Sequence, residues 1–144
     1  MTEIAFHFNA PDRLAYTCRL LRKAVAAGAR LVVTGPAEAL DRLDTELWTL
    51  SATDFVPHCR AQAEPALLAA SPVVLASDPE SAPHQQVLLN LGTGVPPGFE
   101  RFERVIEVVG LDDTDRQQAR TRWRHYADRG YAMTRHDLAL KAGT

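Results

Sequence analysis

Apolar residues recur along this chain in short runs separated by stretches of helical period, and the alternation predicts its elements. Ile4 to Phe8 reads as a short strand, and Asn9-Ala10-Pro11-Asp12 supplies turn chemistry ahead of a helix. Leu14, Cys18, Leu21 and Val25 recur at three- and four-residue steps, with Gly28 where a left-handed cap ends a helix. Arg30 to Val33 predicts a second strand. Thr34-Gly35-Pro36 then opens a second helix, carried by Leu40, Leu43 and Leu47. Val73 to Ala76, Val87 to Leu91 and Arg104 to Val109 predict three further strands, and Asp112 or Asp113 caps a last helix that ends at Gly130. The segment from Trp48 to Pro72, with prolines, small residues and no sustained period, reads as irregular surface, and Tyr131 to Thr144 carries no pattern that assigns an element. The strand-helix rhythm is that of an α/β fold: one open, mostly parallel sheet with helices on both faces.

Length and composition add that 144 residues, 46% of them apolar, suit a single domain over 1–144 with a continuous core. Sixteen basic and eighteen acidic residues leave a formal net charge of -2, so bulk attraction to nucleic acid or membrane is not expected. The charge is nonetheless uneven: Arg116, Arg120, Arg122, Arg124 and Arg129 share the last predicted helix, which points to a local acidic partner. The N-terminus has an early Glu3 and no basic run before a long apolar one, and no apolar stretch approaches membrane-spanning length. Cys18 and Cys59 are too few and too far apart for a disulfide framework. A cytoplasmic protein is expected.

The motifs that catalysis would need are missing from the pattern. Gly92-Thr93-Gly94-Val95-Pro96-Pro97-Gly98 follows a strand but lacks the Lys-Ser/Thr ending of a phosphate loop, and its prolines remove backbone N–H groups, so a plain turn is expected. The first strand-to-helix turn has no GxGxxG. His7, His58, His84, His125 and His136 offer no i, i+3 or i+4 ligand pair, and the serines show no nucleophile elbow. The expectation is a protein that is not an enzyme, with no metal and no cofactor.

Two constellations remain. On a 3.6-residue helix Arg116, Arg120, Trp123, Arg124 and Ala127 fall along one stripe, a set that can bind carboxylates around an apolar ring. Arg122 and Arg129 are expected to point away from that stripe as exposed charges, and Ala119, Trp123 and Tyr126 to form the core-facing edge. The second constellation is Leu47-Trp48 with Asp54-Phe55-Val56-Pro57-His58, large apolar groups in a turn-rich stretch, a common composition for an interface anchor.

Read together, Leu43 to His58 (the LDxxLW…FVPH block) and the aromatic-basic run Ala119 to Arg124 resemble the chi subunit family of bacterial DNA polymerase III holoenzyme, and the likeness extends over nearly the whole chain. The resemblance implies a Rossmann-like domain without nucleotide-binding function, acting in DNA replication as an adaptor of the clamp loader. It implies two partners: the psi subunit, and the acidic C-terminal tail of single-stranded DNA-binding protein. Carried over by position, the tail would meet Val109, Arg116, Arg120, Trp123 and Arg124. Arg116 and Arg124 stand where familiar members have lysine, and Trp123 where they have tyrosine. Psi would meet Phe55 as main anchor, with Trp48, Val56, Pro57 and His58 around it.

Two readings from other classes compete. One is a nucleotide- or phosphate-dependent enzyme using Gly92 to Gly98. The other is a direct single-stranded nucleic-acid binder using Trp123 and the arginines, which would show a steep salt dependence.

Overall fold

The computed structural model describes residues 1–49 and 56–139, so Phe55 lies outside the described residues. Strand β1 (Glu3–Ala10) leads into helix α1 (Arg13–Ala26), β2 (Leu31–Thr34) and α2 (Ala37–Trp48). Then follow β3 (His58–Arg60), α3 (Pro65–Ala70), β4 (Val73–Leu75), β5 (Val87–Asn90), β6 (Arg104–Gly110), α4 (Asp113–Asp128) and β7 (Ala132–Asp137). The helix starts obey local chemistry: the Asp12 carboxylate accepts from the Ala15 N–H and the Asp112 carboxylate from the Asp115 N–H, each satisfying an orphan donor of the first turn.

Two segments depart from the expectation. The stretch from Trp48 to Pro72 is not all irregular: it holds β3 and α3. A three-residue strand is too short to show alternation, and it exists because β4 pairs with it. The unassigned C-terminal stretch likewise contains β7, whose half-exposed sequence AMTRHD has no apolar face and is ordered by parallel pairing with β1.

The seven strands form one sheet in the order β3-β4-β2-β5-β6-β1-β7, and every pairing is parallel rather than mostly so. Successive strand residues point to opposite faces, so the interior strands must be apolar on both. Leu31 and Val33 of β2 meet Cys18 and Leu21 of α1 and Leu40, Leu43 and Leu47 of α2. Val32 faces the other way, into a cluster with Val105, Phe99, Phe102, and Ala119 and Tyr126 of α4. Helix α4 therefore covers β6 and β1 with one face and leaves the other to solvent. Its first turn lies beside the C-terminal ends of those strands, at Gly110 and Asn9. Among the described residues no helix is long and apolar enough to cross a membrane.

Candidate functional site

The end of β1 shapes the site. The register between β1 and β6 shifts between His7 and Ala10, and Asn9 within that irregularity has φ 62°, a left-handed conformation that asparagine tolerates better than most residues. Its side chain ties three elements together. Arg116 on α4 donates to Asn9 Oδ1 at 2.9 Å, and Asn9 Nδ2 donates to Asp137 Oδ1 on β7, also at 2.9 Å.

Around this tie lies a cleft of about 530 Å³. Its apolar surface comes from Phe6 and Phe8 of β1, Val109 of β6 and Trp123 of α4, and its charged groups are Arg116, Arg120 and Arg135. Trp123 meets Phe6 edge-on, with ring centroids 5.1 Å apart at 65°. No carboxylate belongs to the lining. The Arg116 side chain is bound to a neutral amide, and neither the Arg120 nor the Arg135 side chain makes a hydrogen bond or ion pair among the described residues. Three guanidinium groups lining one cleft with aromatic rings, and no carboxylate in the lining, can hold carboxylates and an apolar ring together.

Four of the five residues expected at an acidic-tail site, Val109, Arg116, Arg120 and Trp123, meet in this cleft. Arg124 does not line it and stands exposed on the outer side of α4. Phe6, Phe8, Asn9 and Arg135 escaped the sequence reading. Phe6 and Phe8, two residues apart in a strand, necessarily share a face and were a usable signal. Arg135 has none, because its strand shows no apolar alternation.

Arg122 corrects the sequence reading: it is not an exposed charge but 1% exposed. Its Nε donates to Glu107 Oε1 at 3.0 Å, and its Nη1 donates to the Thr93 carbonyl at 2.9 Å. Glu107, fully buried in the middle of β6, also accepts from the Tyr126 hydroxyl at 2.7 Å and from the Asn90 amide. Burial pushes the Glu107 carboxyl up, against the opposing pull of Arg122, Tyr126 and Asn90. The network fastens α4 to the sheet beneath the cleft. Asn90 also accepts from the Gly92 N–H and donates to the Gly94 carbonyl, so the glycine-rich loop spends its own polar groups on holding a turn.

The second constellation is divided. Trp48 at the end of α2 is 62% exposed and Pro57 is exposed, whereas Val56 and His58 are buried. His58 Nε2 lies 2.8 Å from Asp44 Oδ1, its Nδ1 lies 2.7 Å from the Val56 carbonyl, and the Trp48 ring tilts over it at 5.1 Å. Both cysteines are buried free thiols, and burial pushes Cys18 up to about 11.

The family model described as "DNA polymerase III chi subunit, HolC" matches residues 1–134. The chain is 33% identical over 143 residues to the DNA polymerase III subunit chi of Pseudomonas aeruginosa, covering 96% of this chain and 98% of that protein. It is 28% identical over 118 residues to the protein of that name from Escherichia coli, covering 81% and 79%. With the model spanning almost all of a parallel α/β chain, and a relative matched over nearly its full length, the chain belongs to the DNA polymerase III chi subunit family.

Proposed function

We propose that this chain is a non-catalytic replication adaptor, which holds the acidic C-terminal tail of single-stranded DNA-binding protein in the cleft between α4, β1 and β7 and engages the psi subunit of the clamp loader through the corner around Phe55. The observation that carries the tail assignment is the cleft's lining: Arg116, Arg120 and Arg135 beside Phe6, Phe8, Val109 and Trp123, with no carboxylate among them. An acidic peptide ending in an aromatic residue matches both halves of that surface. Arg124, on the outer rim, adds field rather than a fixed contact. Two modest attachments on one small domain raise the effective concentration of each partner near the other, which is the whole mechanism of a tether.

Among the described neighbours in the Phe55 segment, Trp48 and Pro57 are exposed, while Val56 and the Asp44-held His58 are buried. Phe55→Ala should weaken psi capture by about 2 kcal/mol or more with an unchanged melting temperature. Normal psi binding together with early melting would make Phe55 a core residue instead.

Calorimetric titration with a synthetic acidic peptide ending in phenylalanine, at fixed salt, tests the tail site. Arg120→Ala should lower affinity about ten- to a hundredfold, the loss of one charge-assisted pair. Equal losses from Arg120→Ala and the distant Arg129→Ala would mean diffuse attraction and no pocket. A bare oligonucleotide binding as tightly as the peptide would favour direct nucleic-acid binding.

A further inference from the structure

Strand β7 contributes to the cleft a charged group that the sequence pattern does not assign to it, Arg135. The Arg135 guanidinium carbon lies 5.2 Å from the Phe8 ring centroid and 5.8 Å from that of Trp123, over both rings. That guanidinium group has no hydrogen bond or ion pair among the described residues. The nearest acidic residue on its own strand, Asp137, is occupied by the Asn9 amide and the Ala139 N–H. An arginine seated on ring faces keeps the N–H groups at its edge free, and its planar fork is ordered before a ligand arrives. Less freedom is then lost on closing over a carboxylate.

We propose that Arg135 is a specificity-determining residue of the cleft, one that pairs with the terminal α-carboxylate of a peptide whose last side chain is aromatic. The inference rests on reading the cleft as an acidic-tail site, and it divides that site's labour. Arg135 is the cation over both Phe8 and Trp123, so the carboxylate it can reach is the one bonded to the same residue as the inserted ring. Acidic side chains further up the peptide fall to Arg116 and Arg120, along the helix. Lysine at position 135 would keep the charge but not the two-pronged hydrogen bond of a guanidinium group.

The test compares two synthetic acidic peptides ending in phenylalanine, one with a free C-terminal carboxylate and one amidated, by calorimetric titration against the full chain. The wild type should prefer the free acid by about tenfold, the worth of one charge-assisted hydrogen-bonded pair. In Arg135→Ala and in Arg135→Lys that preference should fall to about twofold or less, with the melting temperature unchanged because the side chain is exposed on an edge strand. A preference kept in Arg135→Ala, with Arg120→Ala still weakening both peptides, overturns the role of Arg135 and leaves the tail site standing. A preference kept in Arg135→Lys reduces the residue to a simple charge and also overturns it. If the wild type binds neither peptide, the tail site and the role of Arg135 fall together.

Discussion

Arg120 and Arg122 are two residues apart on one helix and do opposite work. Arg122 turns into the sheet, 1% exposed, and completes a buried network with Glu107, Tyr126 and Asn90. Arg120 turns outward into a cleft with no carboxylate and is left without a partner among the described residues. On a helix two positions span about 200° of rotation, enough to move a guanidinium from the core to solvent. One charge is consumed in holding the helix in place, and the other is thereby kept available. Arginine content alone says nothing about which is which.

The largest way to break this contrast is Arg122→Ala. It leaves the buried Glu107 carboxylate without its counter-ion, held only by Tyr126 and Asn90, so unfolding free energy in urea should fall by about 3–5 kcal/mol. A loss under about 1 kcal/mol would mean that the network does not anchor α4. Arg120→Ala should show the reverse profile: roughly 1.5–3 kcal/mol lost in peptide titration and within about 0.5 kcal/mol of wild type in the same denaturation. A smaller effect sharpens the buried side. Tyr126→Phe removes one donor to Glu107 and keeps the ring, costing about 1.5 kcal/mol of stability with peptide affinity nearly unchanged. Arg129→Ala, at the exposed end of the helix, should move both measurements by less than about 0.5 kcal/mol. Should it rival Arg120→Ala in the titration, the distinction between a site and a general field would be lost.

Much of the scaffold was legible because parallel strands buried on both faces read as apolar runs, as in Leu31-Val32-Val33, and because Asp12, Asp112, Gly28 and Gly130 punctuate their helices. The site was half legible. Helical spacing brought Arg116, Arg120 and Trp123 together, and the cleft contains all three. Arg122 was misplaced because periodicity assigns arginine to solvent, although Glu107 in the middle of Val105-Ile106-Glu107-Val108-Val109 was the missing clue. A carboxylate inside a strand of an all-parallel sheet must find a buried donor, and the covering helix is where to look. Phe8 and Arg135 depend on β1 pairing with β7, a contact between the two ends of the chain that no local pattern encodes.

The cleft depends on the side chain of Asn9 being a neutral amide. Its oxygen serves Arg116 and its nitrogen serves Asp137. Aspartate at that position would exchange that nitrogen for an anionic oxygen, set two carboxylates against each other and place a permanent counter-ion beside Arg116. The cleft would then carry its own competitor for the guanidinium groups. Asn9→Asp should accordingly weaken binding of the acidic peptide in calorimetric titration.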